Sequence, residues 1–496
     1  MLLPMPSPTR NTARMIENVY TVAPSISDRS RVQITSAASA EAPESAIVTY
    51  TDQDSARLAG GVYAANTVGA ILGSLIASFV LVPWIGSSHT QQVLIVASAL
   101  SALLTLEPAY AAATSGGRGW NLGGTALLAG AMIAAGLLAR SVHELPGLLI
   151  AYGRYAATRV GQADIIYKGE GLNASVAVSQ LSNGVLNYHN AGKVQASSEP
   201  QDMRLQRMLG HLTTLIPPSP KKIVVIGCGA GVTAGAVSID PAVEHETIAE
   251  IEPLVPRVVS TYFAEHNFDV VRNPKVEVHI DDARNFLQTT DQKFDAVTSD
   301  PLDPWVKGAA MLYTKEFFEE VRRHLNPGGA VTLFVQLYES NTAAVKSEIA
   351  TFLDVFPNGV VWGNTNEGRG YDLVLLGTVE PVKIDVDAIQ AKLLRPEYAR
   401  VAQSLREIGM NSAVDLFSTY AGRKPDLEPW LRDASINRDR NLRLQYLAGL
   451  GLNLYQADVI YADMLRYVTK MPDDLFIASD ETKKALFAGI HRQQGR

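Results

Sequence analysis

Three long apolar segments near the start of the chain form its most pronounced hydrophobic pattern. They span residues 60–85, 93–113 and 122–139 and are rich in Ala, Gly and Leu. Because a helix of about 20 apolar residues crosses a bilayer, the pattern predicts three transmembrane helices. Gly69 and Gly73 have the spacing that allows close packing against another helix. The alternative is a helical hairpin buried inside a soluble protein.

The hydrophobic pattern changes to alternating strands and helices further along the chain. Short apolar runs typical of strands lie near 223–227, 247–251, 276–280, 294–299, 329–335 and 371–377. Helical periodicity lies between them, so we predict an α/β fold with a mainly parallel sheet and right-handed crossovers. Before this part, polar and apolar residues alternate around Asn183-Gly184, a typical hairpin turn.

These patterns divide the chain into six regions. Residues 1–58 are rich in Ser, Ala, Thr and Pro without a sustained period, so we expect a disordered tail. The other regions are three membrane helices over 59–140, a juxtamembrane linker over 141–162, a β-hairpin region over 163–215, an α/β domain over 216–380 and a helical region over 381–496.

Composition narrows the class of protein. Hydrophobic residues make up 47% of the chain and charged residues 19%, which favours a membrane-associated protein. The net charge of −7 and the absence of a basic patch interleaved with aromatic residues argue against nucleic-acid binding. The single cysteine, Cys228, excludes an internal disulfide and a cysteine zinc site, and we interpret it as a small filler between glycines.

Polar residues follow the ends of four successive predicted strands. The first strand runs into a loop with Gly227, Gly229 and Gly231, and the second carries Glu250 near its end. Asp281 and Asp282 follow the third strand, and Asp300 and Asp303 follow the fourth. Ligands of open α/β sheets bind outside the carboxyl ends of the strands, and an acid about twenty residues beyond such glycines can bind ribose hydroxyls. The pattern therefore predicts a site for a nucleoside-type ligand.

Several motifs in this part of the chain resemble those of the spermidine synthases, which are polyamine aminopropyltransferases. The matching motifs are Gly227-Cys228-Gly229-Ala230-Gly231, Glu250-Ile251-Glu252, Asp281-Asp282-Ala283-Arg284, Asp300-Pro301-Leu302-Asp303-Pro304, Gly192-Lys193-Val194-Gln195 and Gln336. The resemblance covers about 163–380 and implies a Rossmann-like, methyltransferase-type sheet. From about residue 60 the chain is similar to the bacterial form in which membrane helices precede this domain.

The resemblance implies a transfer reaction at the acceptor end of the site. An aminopropyl group would move from decarboxylated S-adenosylmethionine, a co-substrate, to an amine such as putrescine, with no permanently bound cofactor and no metal. Asp300 matches the family's general base, which an amine needs because its pKa is about 10.4 and it arrives protonated. Asp303 matches the residue that holds the amine, and Gln195 would line the aminopropyl side. Gln336 also matches a family position and would contact the substrate. Tyr338 and Glu339 are placed near the cleft by their position after the fifth strand, and they either bind the acceptor or are ordinary loop packing.

The resemblance also implies roles at the nucleoside end. The loop glycines Gly227, Gly229 and Gly231 would approach the donor closely. Glu250 would bind its ribose, and Asp282 would bind the amino group of its adenine.

Other interpretations of these residues stay open. Asp300 and Asp303 could simply be turn-forming aspartates before proline. Ala230 stands where the family usually has an Asp, and Leu205 where it has a substrate-binding Tyr. Lys307 adds a positive charge in the loop after Asp303, although a loop lysine commonly points to solvent. These departures leave room for a donor that keeps its carboxylate, or for a less cationic acceptor.

Two further functions compete with aminopropyl transfer. One is a methyltransferase that uses S-adenosylmethionine in the same pocket, and the other is a non-catalytic membrane sensor of nucleosides or polyamines. We expect a multi-pass protein of the cell membrane with its catalytic domain in the cytoplasm, although Arg118, the one arginine in the loops, does not decide the orientation. The expected partners are the membrane and a small amine, and a homodimer is possible. The C-terminal helices either cover the sheet or mediate association.

Overall fold

The computed structural model describes residues 55–114, 122–366 and 368–495. Most of the predicted tail over 1–58 lies outside these residues, and so does Arg118. The chain divides into two units, one made of residues up to 77 together with 94–139, and the other of 78–93 together with residues from 140 onward.

The apolar segments are helical. The helices are α1 (Ser55–Ile76), α2 (Val82–Thr114) and α3 (Leu122–Ser141), and a π-helical stretch over Ala77–Leu81 joins the first two. Among the described residues, two helical runs are long and apolar enough to cross a membrane, Ala56–Leu104 and Gly123–Ser141. The sequence predicted three, with 60–85 and 93–113 as separate helices. Segment 60–85 lies within the first run, whereas 93–113 begins within it and extends beyond Leu104. The run is interrupted at Gly86 (φ 79°, ψ 164°).

A small antiparallel sheet follows the apolar helices. The predicted linker over 141–162 contains α4 (Gly147–Tyr152) and a 3₁₀ helix over Gly153–Thr158. The strands are β1 (Ala163–Glu170), β2 (Ser175–Leu181), β3 (Leu186–Asn190) and β4 (Lys193–Ser197), which pair in chain order. Helix α5 (Pro200–Leu215) comes next and begins with a proline, a residue whose fixed φ suits the first turn of a helix.

The α/β domain contains the six predicted strands and one more. The strands are β5 (Lys222–Ile226), β6 (His245–Glu250), β7 (Val276–Ile280), β8 (Phe294–Ser299), β9 (Leu325–Gln336), β10 (Val360–Asn366) and β11 (Arg369–Thr378). The helices are α6 (Val232–Ser238), α7 (Leu254–Tyr262), α8 (Ala283–Thr289), α9 (Lys315–His324) and α10 (Thr342–Val355). Two short 3₁₀ helices lie over Val270–Arg272 and Ala309–Tyr313. The sequence missed β10 because its apolar run is only three residues long before Gly363 and polar residues follow.

The C-terminal region is mainly helical, but it also contains strands that the sequence did not predict. Its strands are β12 (Ile384–Asp385), β13 (Tyr420–Arg423) and β14 (Phe476–Ile477). Its helices are α11 (Val386–Leu393), α12 (Ala399–Glu407), α13 (Ala413–Phe417), α14 (Lys424–Leu427), α15 (Arg443–Gly451), α16 (Ala457–Leu465) and α17 (Asp480–Gln493), with a 3₁₀ helix over Pro396–Tyr398. Strands β12 and β14 pair with each other, and β13 joins the large sheet.

The order of the large sheet brings the polar strand ends together. The order is β13-β10-β11-β9-β8-β5-β6-β7, and β5 to β9 are parallel where they pair. Ile226 at the end of β5 lies beside Ala249 of β6 and Ser299 of β8. The residues that follow these positions are the loop glycines, Glu250 and Asp300. The predicted mainly parallel sheet is present, and its last three strands are antiparallel.

Candidate functional site

The loop after β5 is shaped for close approach by a ligand. Gly227, Gly229 and Gly231 have φ values of 80°, 50° and 78°, a region that residues with a side chain rarely adopt. A Cβ on Gly229 would meet no atom within 4 Å, so this part of the loop faces open space. Gly231 instead lies against Asn267, whose side-chain amide donates a hydrogen bond to the Ala230 carbonyl at 3.0 Å. The loop is therefore packed against Asn267 at Ala230 and Gly231 and faces open space at Gly229.

Glu250 lies directly beside this loop and is buried. Its carboxylate accepts hydrogen bonds from the backbone N–H groups of Cys228 at 2.7 Å and Glu252 at 2.8 Å. Burial raises its pKa, and the two backbone donors oppose that rise. Each carboxylate oxygen accepts one of these bonds and has a second lone pair. Glu250 thus fixes the loop and keeps acceptor capacity for a hydroxyl group of a ligand.

Asp282 has a structural role that the sequence analysis did not identify. It caps helix α8, because its Oδ1 accepts hydrogen bonds from the backbone N–H groups of Arg284 and Asn285, both at 3.0 Å. The residue is exposed, at the same edge of the sheet as Glu250. Its other carboxylate oxygen is the one that could bind a nucleobase amino group.

A cavity of about 170 Å³ lies at the end of β8. It is lined by Lys193, Val194, Gln195, Ala196, Asp202, Leu205, Gln206, Asp300, Pro301, Asp303, Phe334, Tyr338 and Tyr371. These residues come from β4, α5, the loop after β8, β9 with the loop that follows it, and β11. The cavity thus brings together Asp300, Asp303, Gln195 and Tyr338, which the sequence placed near the acceptor.

The carboxyl group of Asp300 has a strongly raised pKa. Burial raises its pKa to about 7, and the neighbouring carboxylates Asp202 and Asp303 add to this rise. The Thr233 hydroxyl donates a hydrogen bond to its Oδ2 at 3.3 Å, which has the opposite effect on the pKa. A carboxyl group with a pKa near 7 can both accept and release a proton at physiological pH.

Asp303 is paired with a lysine. The Lys193 ammonium lies 2.6 Å from Asp303 Oδ2 and 2.8 Å from Glu339 Oε2. Burial alone would lower the pKa of Lys193, but the two carboxylates outweigh it and the pKa is raised. Burial raises the pKa of Asp303, and Lys193 opposes that rise. Glu339 also accepts a hydrogen bond from the Tyr155 hydroxyl at 2.6 Å.

The other predicted acceptor residues differ in their surroundings. The Gln195 side-chain amide donates to the Asn190 carbonyl at 3.1 Å and lines the cavity. Tyr338 also lines it, with its ring centroid 5.0 Å from that of Tyr371. Gln336 is buried at the end of β9, and neither polar atom of its side chain has a hydrogen-bond partner among the described residues. Unlike the other four residues, it does not line the cavity.

Asp202 and Tyr371 line the cavity although the sequence analysis did not select them. Asp202 Oδ2 accepts from the Ser197 hydroxyl at 2.6 Å, and its Oδ1 accepts from the Tyr371 hydroxyl at 3.2 Å. Burial raises the pKa of Asp202. In the sequence, Asp202 is an acid in the first turn of α5. Acids are common at that position in any helix, so this did not mark Asp202 as a site residue.

The three departures from the family pattern lie in different settings. Ala230 and Leu205 are buried, and Leu205 lines the cavity, so an apolar wall replaces a polar side chain there. Lys307 is exposed. Lys193, and not Lys307, is the lysine that lines the cavity. Among the described residues, no group of three or more His, Cys, Asp or Glu side chains is arranged to hold a metal ion.

The sheet order and the site define a methyltransferase-type α/β protein with a glycine-rich loop near an acidic cavity. Residues 202–361 match the family model described as spermine/spermidine synthase domain. The chain is 30% identical over 215 residues to polyamine aminopropyltransferase 2 of Hyperthermus butylicus, covering 41% of this chain and 69% of that protein.

A second relative is polyamine aminopropyltransferase 1 of Pseudomonas aeruginosa, which is 27% identical over 235 residues, covering 41% of this chain and 82% of that protein. A solved structure of a spermidine synthase in complex with the transition-state analogue AdoDATO is 20% identical, with a TM-score of 0.42, covering 49% of this chain and 88% of that one. The chain belongs to the spermidine synthase family of polyamine aminopropyltransferases, which are enzymes.

Proposed function

We propose that the protein is a membrane-anchored aminopropyltransferase that uses decarboxylated S-adenosylmethionine as donor and an amine as acceptor, with putrescine as the reference acceptor. The observation that carries the proposal is the placement of Asp300, a carboxyl group with a pKa of about 7, in a cavity beside the nucleoside-type loop. Family membership supports the same reaction class.

In the proposed reaction, Asp300 removes the proton that the acceptor ammonium carries. The freed lone pair of the amine attacks the aminopropyl carbon next to the donor's sulfonium. The bond between this carbon and sulfur breaks, its electron pair stays on sulfur, and neutral methylthioadenosine leaves. The rise of the Asp300 pKa to about 7 brings it closer to the amine's value of about 10.4 and makes the carboxylate a better base.

The remaining residues bind the two substrates in this proposal. Gly227, Gly229 and Gly231 allow the donor to approach the backbone, Glu250 binds the ribose and Asp282 binds the adenine amino group. Gln195, Asp303 and Tyr338 face the acceptor side. Gln336 is proposed as a substrate contact from its match to the family pattern. It does not line the cavity, but its buried side-chain amide has no hydrogen-bond partner among the described residues.

Purified enzyme in detergent tests the reaction. It is mixed with decarboxylated S-adenosylmethionine or S-adenosylmethionine, together with an amine, and the products are identified by mass spectrometry. Methylthioadenosine and an aminopropylated amine are expected from the decarboxylated donor. S-adenosylhomocysteine with a methylated acceptor would support a methyltransferase instead. Binding of the nucleoside without any turnover would support a sensor.

The apolar helices are proposed to anchor the protein in the cell membrane as a multi-pass protein with its catalytic domain in the cytoplasm. Tyr63, Ile71 and Ile133 are exposed on these helices, and none of the residues in the most apolar windows is buried. Exposed apolar side chains along a whole helix are costly in water and favourable in lipid. This surface supports a membrane anchor rather than a buried hairpin.

A further inference from the structure

The ammonium group of Lys193 occupies the acceptor side of the cavity. It pairs with Asp303 and Glu339, and the side chains of the three residues are 14%, 3% and 7% exposed. The same ammonium lies 5.6 Å from the ring centroid of Trp305 and 5.0 Å from that of Tyr338. Two carboxylates and two aromatic faces are the surroundings in which proteins bind alkylammonium ligands. In this protein, a residue of the chain itself fills that position.

The backbone holds Lys193 in place. It is the first residue of β4 and follows the turn Ala191-Gly192, whose φ values are 54° and 72°. A Cβ on Gly192 would lie 3.0 Å from the Gly153 Cα, so the turn is packed against the chain before β1. Lys193 therefore reaches the carboxylates from a fixed position.

A second ammonium could not share this position at low cost. Two like charges about 4 Å apart repel strongly in a partly buried site, where solvent screening is weak. Lys193 also neutralises Asp303, which a free diamine would otherwise use to bind its far end. Asp300 and Asp202 remain available for one ammonium.

We propose that Lys193 determines acceptor specificity by replacing the far ammonium of a diamine, so that the enzyme accepts a primary amine with a single positive charge in preference to a diamine. This inference rests on the proposed function and narrows its acceptor. Substrates with an uncharged far end, such as amino alcohols and simple alkylamines, fit this requirement.

Calorimetry on the full-length protein in detergent tests the inference without turnover. With methylthioadenosine present, the protein is titrated with 1,4-diaminobutane, butylamine and 4-aminobutan-1-ol, which have the same four-carbon chain. We expect the wild type to bind the two singly charged amines at least about tenfold more tightly than the diamine. Lys193→Met should shift this ratio at least about tenfold towards the diamine, since it removes the cation paired with the buried Asp303 carboxylate, whereas Glu339 keeps its contacts with Arg154 and Tyr155. The matched control Lys307→Met, at an exposed lysine, should leave the ratio unchanged.

Tighter binding of the diamine by the wild type would overturn the inference, and so would an unchanged ratio in Lys193→Met. Failure of all three amines to bind either protein would also overturn it. If Lys193→Met does not fold, the inference is decided by the wild type's ratio of affinities for the singly charged amines and the diamine. The thermal stability of Lys193→Ala then provides a second measurement. Ethylammonium should raise the Tm of Lys193→Ala more than that of the wild type, because it replaces the missing cation. Absence of aminopropyl transfer to every amine would contradict the proposed function and leave the binding order unaffected.

Discussion

Asp300→Asn separates the catalytic role of the carboxylate from its effect on stability. Asparagine has nearly the same shape but cannot accept the proton of the amine. A positioned general base contributes about 10²–10⁴ in rate, so turnover should fall by that factor. Methylthioadenosine should bind within about twofold of the wild-type affinity, since the proposed donor contacts lie on the glycine loop, Glu250 and Asp282.

The same substitution should stabilise the protein at high pH. The pKa of Asp300 is about 7 in the folded protein against 3.8 for a free side chain. The pKa difference of about three units corresponds to at most about 4 kcal/mol, at about 1.36 kcal/mol per unit. This is the largest free energy of unfolding that the charged Asp300 carboxylate could cost the folded protein. Because Asp300 keeps part of its surface on the cavity, we expect about 1–3 kcal/mol after solvent screening.

The sign of this effect follows from the raised pKa. Protonation of Asp300 stabilises the folded protein relative to the unfolded chain. This stabilisation is fully present below about pH 3.8 and is lost as the pH rises through about 7. The Tm of Asp300→Asn should therefore exceed that of the wild type by a few degrees at pH 8.5 and by less at pH 5.5. In the wild type, kcat/KM should rise with pH up to about 7, as the carboxylate forms.

Scanning fluorimetry at the two pH values and a methylthioadenosine-release assay measure these effects. Asp291→Asn, at an exposed loop position, is the matched control and should change neither turnover nor the pH dependence of Tm. Full turnover in Asp300→Asn would refute the general-base role. A Tm difference that does not depend on pH would refute the burial argument for the raised pKa.

Three further predictions concern the donor and the membrane. Glu250→Gln should weaken methylthioadenosine binding by about 1–3 kcal/mol in calorimetry, because a buried acceptor is replaced; unchanged affinity would remove the ribose assignment. Asp282→Ala should weaken the same affinity by about the same amount, and a loss of stability without any loss of affinity would leave only its role as a helix cap. Full-length protein should sediment with membranes after high-speed centrifugation and need detergent for extraction, whereas recovery in the supernatant would contradict the membrane anchor.

Much of the fold could be predicted because its signals are local. Apolar runs, helical periods and turn residues mark elements wherever they occur, and parallel pairing then brings the strand ends to one edge. Gly227, Glu250 and Asp300 are therefore found together as expected. Strands β10 and β13 could not be predicted, because their short runs become strands only through pairing with each other and with β11.

The charge arrangement at the cavity was decided by tertiary structure. Lys193 and Asp303 are 110 residues apart, and Asp202 and Tyr371 are 169 apart. The sequence drew attention to Lys307 as the positive charge near the acceptor, but the structure leaves it exposed and places Lys193 between the carboxylates. A sequence pattern shows which charges exist. Their partners, their distances and their burial determine the energy of each charge, and only the folded chain sets these.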